Sequence, residues 1–128
     1  MADREPKNYA TVPKNCHMWK QEEPDLELEI IKRYPEDSYP THADDSARSL
    51  KKCSDCGQLY FYEMVEHIDW DDGNDPIYRT FIPVSSEKVA DELALLSDLD
   101  ILYSSPRIQK DWEKNGKRKL YWVKRKND

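Results

Sequence analysis

The most regular pattern of apolar positions lies between residues 58 and 84. Over 59–70, apolar side chains fall on both parities of an extended chain, which is typical of a strand that is buried on both faces. Residues 71–76 are rich in turn-forming Asp, Asn, Gly and Pro, and β-branched and aromatic residues resume at 77–84. The sequence therefore predicts a long antiparallel hairpin, with Pro83 near the end of its second strand or at an edge.

A helical pattern follows the predicted hairpin. Ser85 or Ser86 can cap a helix whose apolar residues recur at a spacing of about 3.6 residues. These residues are Val89, Ala90, Leu93 and Leu96. We expect this apolar stripe to lie across the hairpin.

Two further segments carry patterns that are compatible with a helix. Ile108 and Trp112 lie one helical turn apart, between a start signal at Ser105 and Pro106 and a stop signal at Gly116. Residues 24–34 admit two interpretations, because a helix that begins at a proline and a strand with alternating apolar side chains both fit the spacing. We predict a helix in both segments.

The remaining elements complete a predicted α+β fold. Prolines and polar residues make 35–49 a predicted loop, and alternation predicts a last strand at 120–125. The fold class is a small antiparallel sheet with the long hairpin and two or three helices packed on one face. Residues 1–15 carry two prolines and are predicted to form an irregular N-terminal arm, and residues 16–128 a single domain.

Hydropathy and cysteine content indicate the compartment. No apolar run approaches the roughly 18 residues of a membrane-spanning helix. The first 14 residues carry charges and prolines where a signal peptide would be apolar. Three cysteines, two of them in a Cys-x-x-Cys pair, suit metal or redox chemistry better than a secreted disulfide framework. We therefore expect a cytoplasmic protein that does not bind membranes.

The motif that carries chemistry is the Cys-x-x-Cys-Gly run at 53–57. Two thiolates at this spacing can bind the same tetrahedral ion, and the glycine allows a tight turn. Structural zinc takes four ligands, which Cys16 together with His17 or His42 can complete, whereas His67 lies in a predicted strand. We predict a zinc knuckle that holds one structural zinc ion. A redox pair and two ordinary reduced thiols are the alternatives. The predicted ligands are Cys53, Cys56, Cys16 and His17.

Charge is distributed unevenly along the chain. The net charge is −6, but the last 22 residues hold nine Lys and Arg against three Asp and Glu. Residues 63–75 hold six acids and no base. Such a surface attracts basic protein and repels nucleic acid, so that nucleic acid is not an expected partner. A solvated face that merely maintains solubility is the alternative interpretation.

Spacing excludes several kinds of reaction site. The acidic run at 69–75 has its glycine at the fifth position, and Thr80 stands where a calcium-binding loop needs a glutamate. Three glycines leave no phosphate-binding loop, and no nucleophile motif is present. Strand alternation separates Glu66 from Glu63 and His67, which argues against an acid–base group. We therefore predict that the protein is not an enzyme.

Residues 50–84 resemble a segment of uncharacterised small bacterial proteins with a Cys-x-x-Cys-Gly motif, a Tyr-x-Tyr-Glu run and an acidic turn. The matching residues are Cys53, Cys56, Gly57, Tyr60, Tyr62, Glu63, Ile68–Trp70, Asp72, Gly73, Asp75, Pro76 and Ile82–Val84. In size and acidity these proteins are similar to the immunity proteins of contact-dependent and type VI competition systems. The resemblance implies a non-enzymatic immunity or antitoxin-like protein that neutralises a cognate bacterial toxin.

The predicted partner surface is an acidic and aromatic cluster, which suits the basic cleft of a toxin that acts on nucleic acid. Its residues are Glu63, Glu66, Asp69, Trp70, Asp71, Asp72 and Asp75. The alternative function is a zinc-knuckle adaptor that contacts nucleic acid through its basic C-terminal segment, residues 117–126.

Overall fold

Six strands form one antiparallel sheet whose order follows the chain, so that each strand pairs with its neighbours in sequence. The structure is a computed structural model, and it describes residues 7–22, 24, 26–41, 43–68, 73, 75–113 and 116–124. The strands are β1 (Leu28–Tyr34), β2 (Asp45–Cys53), β3 (Leu59–Glu66), β4 (Ile77–Val84), β5 (Arg107–Trp112) and β6 (Arg118–Val123). Two short α-helices, α1 (Glu87–Leu93) and α2 (Asp98–Ile101), connect β4 to β5, and 3-10 helices span His17–Lys20 and Glu36–Ser38.

The fold class is mainly β, and the predicted α+β fold with two or three packed helices is wrong. The segment at 24–34 contains β1, the segment at 105–116 contains β5, and β2 already begins at Asp45 inside the predicted loop 35–49. The spacing of Ile108 and Trp112 gave the wrong prediction of a helix, because residues four positions apart share a face in a strand as well as in a helix. At 24–34, the strand interpretation holds from Leu28, where pairing with β2 begins opposite Cys53.

The predicted hairpin is confirmed, and so is the start of the first predicted helix, which ends at Leu93 and leaves Leu96 beyond it. β3 pairs with β4 from Leu59 opposite Val84 to Glu66 opposite Ile77. Ser86 caps α1, and its hydroxyl accepts a hydrogen bond from the Val89 amide at 3.3 Å. Among the described residues, no helix has the length and apolar character needed to cross a bilayer.

The sheet carries an apolar core on each face. On one face, which we call the helix face, Leu50, Phe61 and Ile82 pack against residues of α1 and α2. On the other, which we call the N-terminal face, Tyr60 and Phe81 pack with residues from the chain segment before β1. The start of β3 is therefore buried on both sides, as its mixed apolar pattern predicts.

Arg48 of β2 links the sheet to the end of α1 from a fully buried position on the helix face. Its Nε and Nη2 atoms lie 2.8 and 2.7 Å from Oε2 of Glu63 on β3. Its guanidinium also donates to the carbonyl oxygens of Ala94 and Leu96 at 2.9 and 2.6 Å and of Pro40 at 3.2 Å. One side chain thus joins a strand pair, the C-terminal end of a helix and a loop.

Candidate functional site

Three cysteines from two distant segments meet at one end of the sheet. Cys53 is the last residue of β2, Cys56 lies in the connection to β3, and Cys16 precedes the first 3-10 helix. Their sulfur atoms all lie within 4.8 Å of one another. Cys16 and Cys53 are buried, and Cys56 is exposed. The three thiols could hold a metal ion, as their spacing in the sequence suggests.

Backbone hydrogen bonds of the β2–β3 connection shape its half of this cluster. The Cys53 amide donates to the Gln58 carbonyl oxygen at 2.8 Å, and the Gly57 amide donates to the Cys53 carbonyl oxygen at 3.0 Å. Gly57 has a φ of +81°, a conformation that costs glycine little and other residues more. The glycine of the motif thus has the turning role that the sequence predicts.

The N-terminal segment is held against the sheet by its own contacts. Met18 is fully buried on the N-terminal face, and its carbonyl oxygen accepts a hydrogen bond from the Trp122 indole at 2.8 Å. Trp19 packs edge-on against Trp122 with a centroid distance of 4.9 Å. These contacts hold the neighbouring Cys16 beside Tyr60. The Tyr60 hydroxyl donates a hydrogen bond to the Cys16 sulfur at 3.2 Å.

His17 lies at the edge of the cysteine cluster. Its Nδ1 atom is 4.0 Å from the Cys53 sulfur and 3.5 Å from an Asp55 carboxylate oxygen. The other histidines differ in placement: His42 lies outside the described residues, and His67 follows the opposite end of β3. Of the histidines that the structure describes, His17 is the one beside the thiols.

The thiols have unequal acidity. Burial raises the pKa of Cys16 to about 11, against the lowering effect of the Tyr60 hydroxyl. Burial also acts to raise the pKa of Cys56, but the Gln58 amide and the neighbouring thiols outweigh it, so that this pKa lies below its usual value. Burial and the Cys16 thiol raise the pKa of Tyr60, which keeps its hydroxyl a donor towards sulfur.

The predicted acidic partner cluster is only partly within the described residues. Glu63 is 3% exposed on the helix face, where it pairs with Arg48. Burial raises the pKa of Glu63 above its usual range, although Arg48 acts in the opposite direction. Glu66 and Asp75 are half-buried at the end of the hairpin where the chain connects β3 to β4. Asp69, Trp70, Asp71 and Asp72 lie outside the described residues.

Sequence reasoning missed a groove on the helix face. The groove has a volume of about 350 Å³ and lies between α2 and the half of the sheet that the two short helices leave uncovered. Its floor is a chain of buried polar groups: Gln109 accepts from Thr80 at 2.9 Å and donates to Asp111 at 3.0 Å. Tyr121 also donates to Asp111, at 3.1 Å. The strand alternation that places these residues together depends on β5 being a strand.

The rim of the groove is apolar. Leu99 and Leu102 line it and are 66% and 41% exposed, and Tyr103 next to them is 60% exposed. Exposed large apolar side chains grouped in this way are typical of binding surfaces. The sequence carries a signal for this rim, because Leu99 and Leu102 lie beyond the apolar stripe of the predicted helix.

Three carboxylates line the groove and give it an acidic character, although that of Glu63 is paired with Arg48. Asp98 and Asp111 line it together with Glu63. Arg107 supplies a positive charge, and its guanidinium donates a hydrogen bond to the Gln109 side chain at 2.9 Å.

Comparison of the chain with protein-family models, with curated proteins and with solved structures gave no match.

Proposed function

We propose that the protein binds one structural zinc ion through Cys16, Cys53, Cys56 and His17 and acts as a non-enzymatic binding protein. The observation that carries the proposal is the convergence of three thiols from segments 37 positions apart in the sequence. Two of these thiols are buried, and buried thiols from distant segments favour a structural site over a reactive one.

The donor set favours zinc. Thiolate and imidazole ligands in a tetrahedral arrangement suit Zn²⁺, whose bonds to sulfur of about 2.3 Å place two sulfur ligands about 3.8 Å apart. The thiol spacing, within 4.8 Å, needs only a small contraction to reach that value. The hydrogen bond from Tyr60 to Cys16 is the kind of contact that orients a metal ligand.

Metal analysis tests this proposal. The purified protein is expected to contain one zinc per chain, and X-ray absorption is expected to show three sulfur ligands and one nitrogen ligand. Cys16→Ser should lose the metal, because serine does not replace a thiolate towards zinc. His17→Ala should keep zinc but release it to a chelator at lower concentration.

The matched control for His17→Ala is His67→Ala, which removes a histidine at the far end of β3. This control should hold zinc as the native protein does. Zinc content well below one per chain in the native protein, or full retention in Cys16→Ser, contradicts the proposal.

The partner of this binding protein is a protein segment that places a basic side chain in the groove on the helix face. Leu99 and Leu102 offer apolar contact at the rim, and Asp98 and Asp111 offer carboxylates inside. A basic, partly apolar segment complements both features. A bacterial toxin is the partner class that the sequence resemblance implies, with the groove adding to the acidic residues of the hairpin.

A pair of equivalent substitutions tests the groove. Leu99 lines the groove and Leu95 does not, yet both are 66% exposed. With a partner captured from the native host, Leu99→Asp should weaken binding by at least about tenfold, because it removes an apolar contact at the interface. Leu95→Asp should leave the affinity close to the native value.

The toxin assignment requires that the captured protein be toxic when expressed alone and harmless when co-expressed with this chain. Equal binding by both leucine variants would mean that the partner binds outside the groove. A captured partner without toxicity would contradict the immunity function.

A further inference from the structure

We propose that the N-terminal face of the sheet binds single-stranded nucleic acid through a basic patch, a function that does not depend on the groove or on its protein partner. The patch consists of one basic residue from each of five strands. These residues are Arg33, Lys51, Arg79, Lys110 and Arg118.

Strand register places these cations on one face. Arg33 lies opposite Ser49, and the same row of paired residues continues across the sheet through Tyr62 and Phe81 to Ile108. Ile108 is buried in the core on the N-terminal face. Arg79 and Lys110 are directly opposite each other two positions along from that row. The side-chain period of two therefore directs all these residues to the same side of the sheet.

The cations of the patch have no carboxylate partner among the residues that the structure describes. Within the described part of the chain, none of the five forms an ion pair, whereas Lys32, Lys52 and Lys119 on the helix face do. Burial lowers the pKa of Lys51, and the charges of Arg33 and Arg79 lower it further. A cluster of positive charges that forms no ion pair with the described residues attracts anions.

Aromatic rings lie among these cations. The Lys51 ammonium is 4.0 Å from the centroid of the Tyr62 ring, and the Arg118 guanidinium is 4.4 Å from that of the Trp112 ring. Trp112 is 41% exposed and, with Lys110 and Arg118, lines a groove of about 430 Å³. Phosphates and unstacked bases need this combination of cations and planar rings, whereas an acidic protein needs the cations alone.

The dimensions of the patch suit a strand of nucleic acid. From β1 to β6 it crosses five strand spacings, or about 24 Å. Single-stranded sites of this kind hold about four nucleotides or more. The basic C-terminal segment contributes Arg118, but most of the patch comes from β1, β2, β4 and β5, which the alternative function predicted from the sequence does not include.

Fluorescence anisotropy with labelled dT20 and U20 tests the proposal. Binding is expected at 50 mM salt and should weaken steeply as salt rises, because phosphate contacts release counterions. Lys110→Gln combined with Arg118→Gln should lower the affinity roughly tenfold and reduce the salt slope by about 1.4. Both side chains are exposed, so that the fold should survive their replacement.

The control is Lys32→Gln combined with Lys52→Gln, which changes charge by the same amount on the helix face and should leave oligonucleotide binding unchanged. Trp112→Ala should weaken binding of the oligonucleotides about tenfold through lost stacking. It should leave binding of heparin, an anion without bases, unaffected.

Three results would overturn the proposal: no oligonucleotide binding at 50 mM salt, equal losses in the two double variants, or an unchanged affinity in Trp112→Ala. Tighter binding of poly-glutamate than of dT20 would assign the patch to an acidic protein partner instead.

Discussion

Removal of zinc with a chelator is expected to lower the thermal unfolding midpoint of the protein by more than about 15 °C. A structural zinc site of this kind contributes of order 10 kcal/mol to folding. The total stability of a small domain is only about 5–15 kcal/mol. The proposed ion would join Cys16 to the end of β2, so that its loss would free the segment that packs on part of the N-terminal face.

Two spectroscopic signals follow this loss. Circular dichroism gives the unfolding midpoint, and tryptophan emission reports the N-terminal segment, because Trp19 packs 4.9 Å from Trp122. We expect the emission to move to longer wavelength as Trp19 becomes solvated. The strands away from the cysteines should keep their far-ultraviolet signal at low temperature.

Cys16→Ser and Ser54→Ala separate the effect of the metal from a general effect of the chelator. Cys16→Ser should already have the low midpoint and should not respond to the chelator. Ser54 is exposed in the same connection as Cys56 and bears no thiol, so that Ser54→Ala should respond as the native protein does. An unchanged midpoint of the native protein after complete removal of metal would contradict a structural role for the site.

The cysteine cluster was largely predictable from the sequence, because its local half is encoded within five residues. The Cys-x-x-Cys-Gly spacing predicts a turn that presents both thiols, and the backbone hydrogen bonds at Cys53 and Gly57 produce it. The approach of Cys16 depends on contacts across the whole chain. Burial of Met18 and its hydrogen bond from Trp122, 104 positions away, bring it into place, and no local pattern specifies them.

Sequence reasoning missed β5 for a physical reason. A spacing of four apolar positions, such as Ile108 to Trp112, fits one face of either a helix or a strand. The choice is then made by pairing partners: β5 has β4 on one side and β6 on the other. These interactions lie outside a local window, and they override the capping signals at Ser105 and Gly116.

Pairing of the strands sorts the charged residues onto two faces of the sheet, which their order along the chain does not reveal. Within β2, Arg48 is buried against Glu63, whereas Lys51, three positions later, lies on the opposite face near Arg33 and Arg79. A net charge of −6 combines the two faces and so conceals the basic one. The separation follows from register, which is fixed only once all six strands are paired.

Replacement of Arg48 with methionine is expected to lower the free energy of unfolding by about 3–5 kcal/mol. The substitution leaves the Glu63 carboxylate buried without its ion-pair partner. It also removes the donor for the carbonyl oxygens of Ala94 and Leu96, which follow α1. Urea unfolding measures the loss, and Lys52→Met is the control, because the exposed pair of Lys52 and Glu29 should contribute less than about 1 kcal/mol.

A second substitution separates the carboxylate from the carbonyl groups. Glu63→Leu combined with Arg48→Met removes both charges, so that the double variant should be more stable than Arg48→Met alone. It should remain less stable than the native protein, because the carbonyl oxygens of Pro40, Ala94 and Leu96 still lack the guanidinium donor. A single variant within about 1 kcal/mol of the native protein would mean that water reaches Glu63 through the adjoining groove and replaces the guanidinium. The groove floor would then be wetter than the buried position of Arg48 implies.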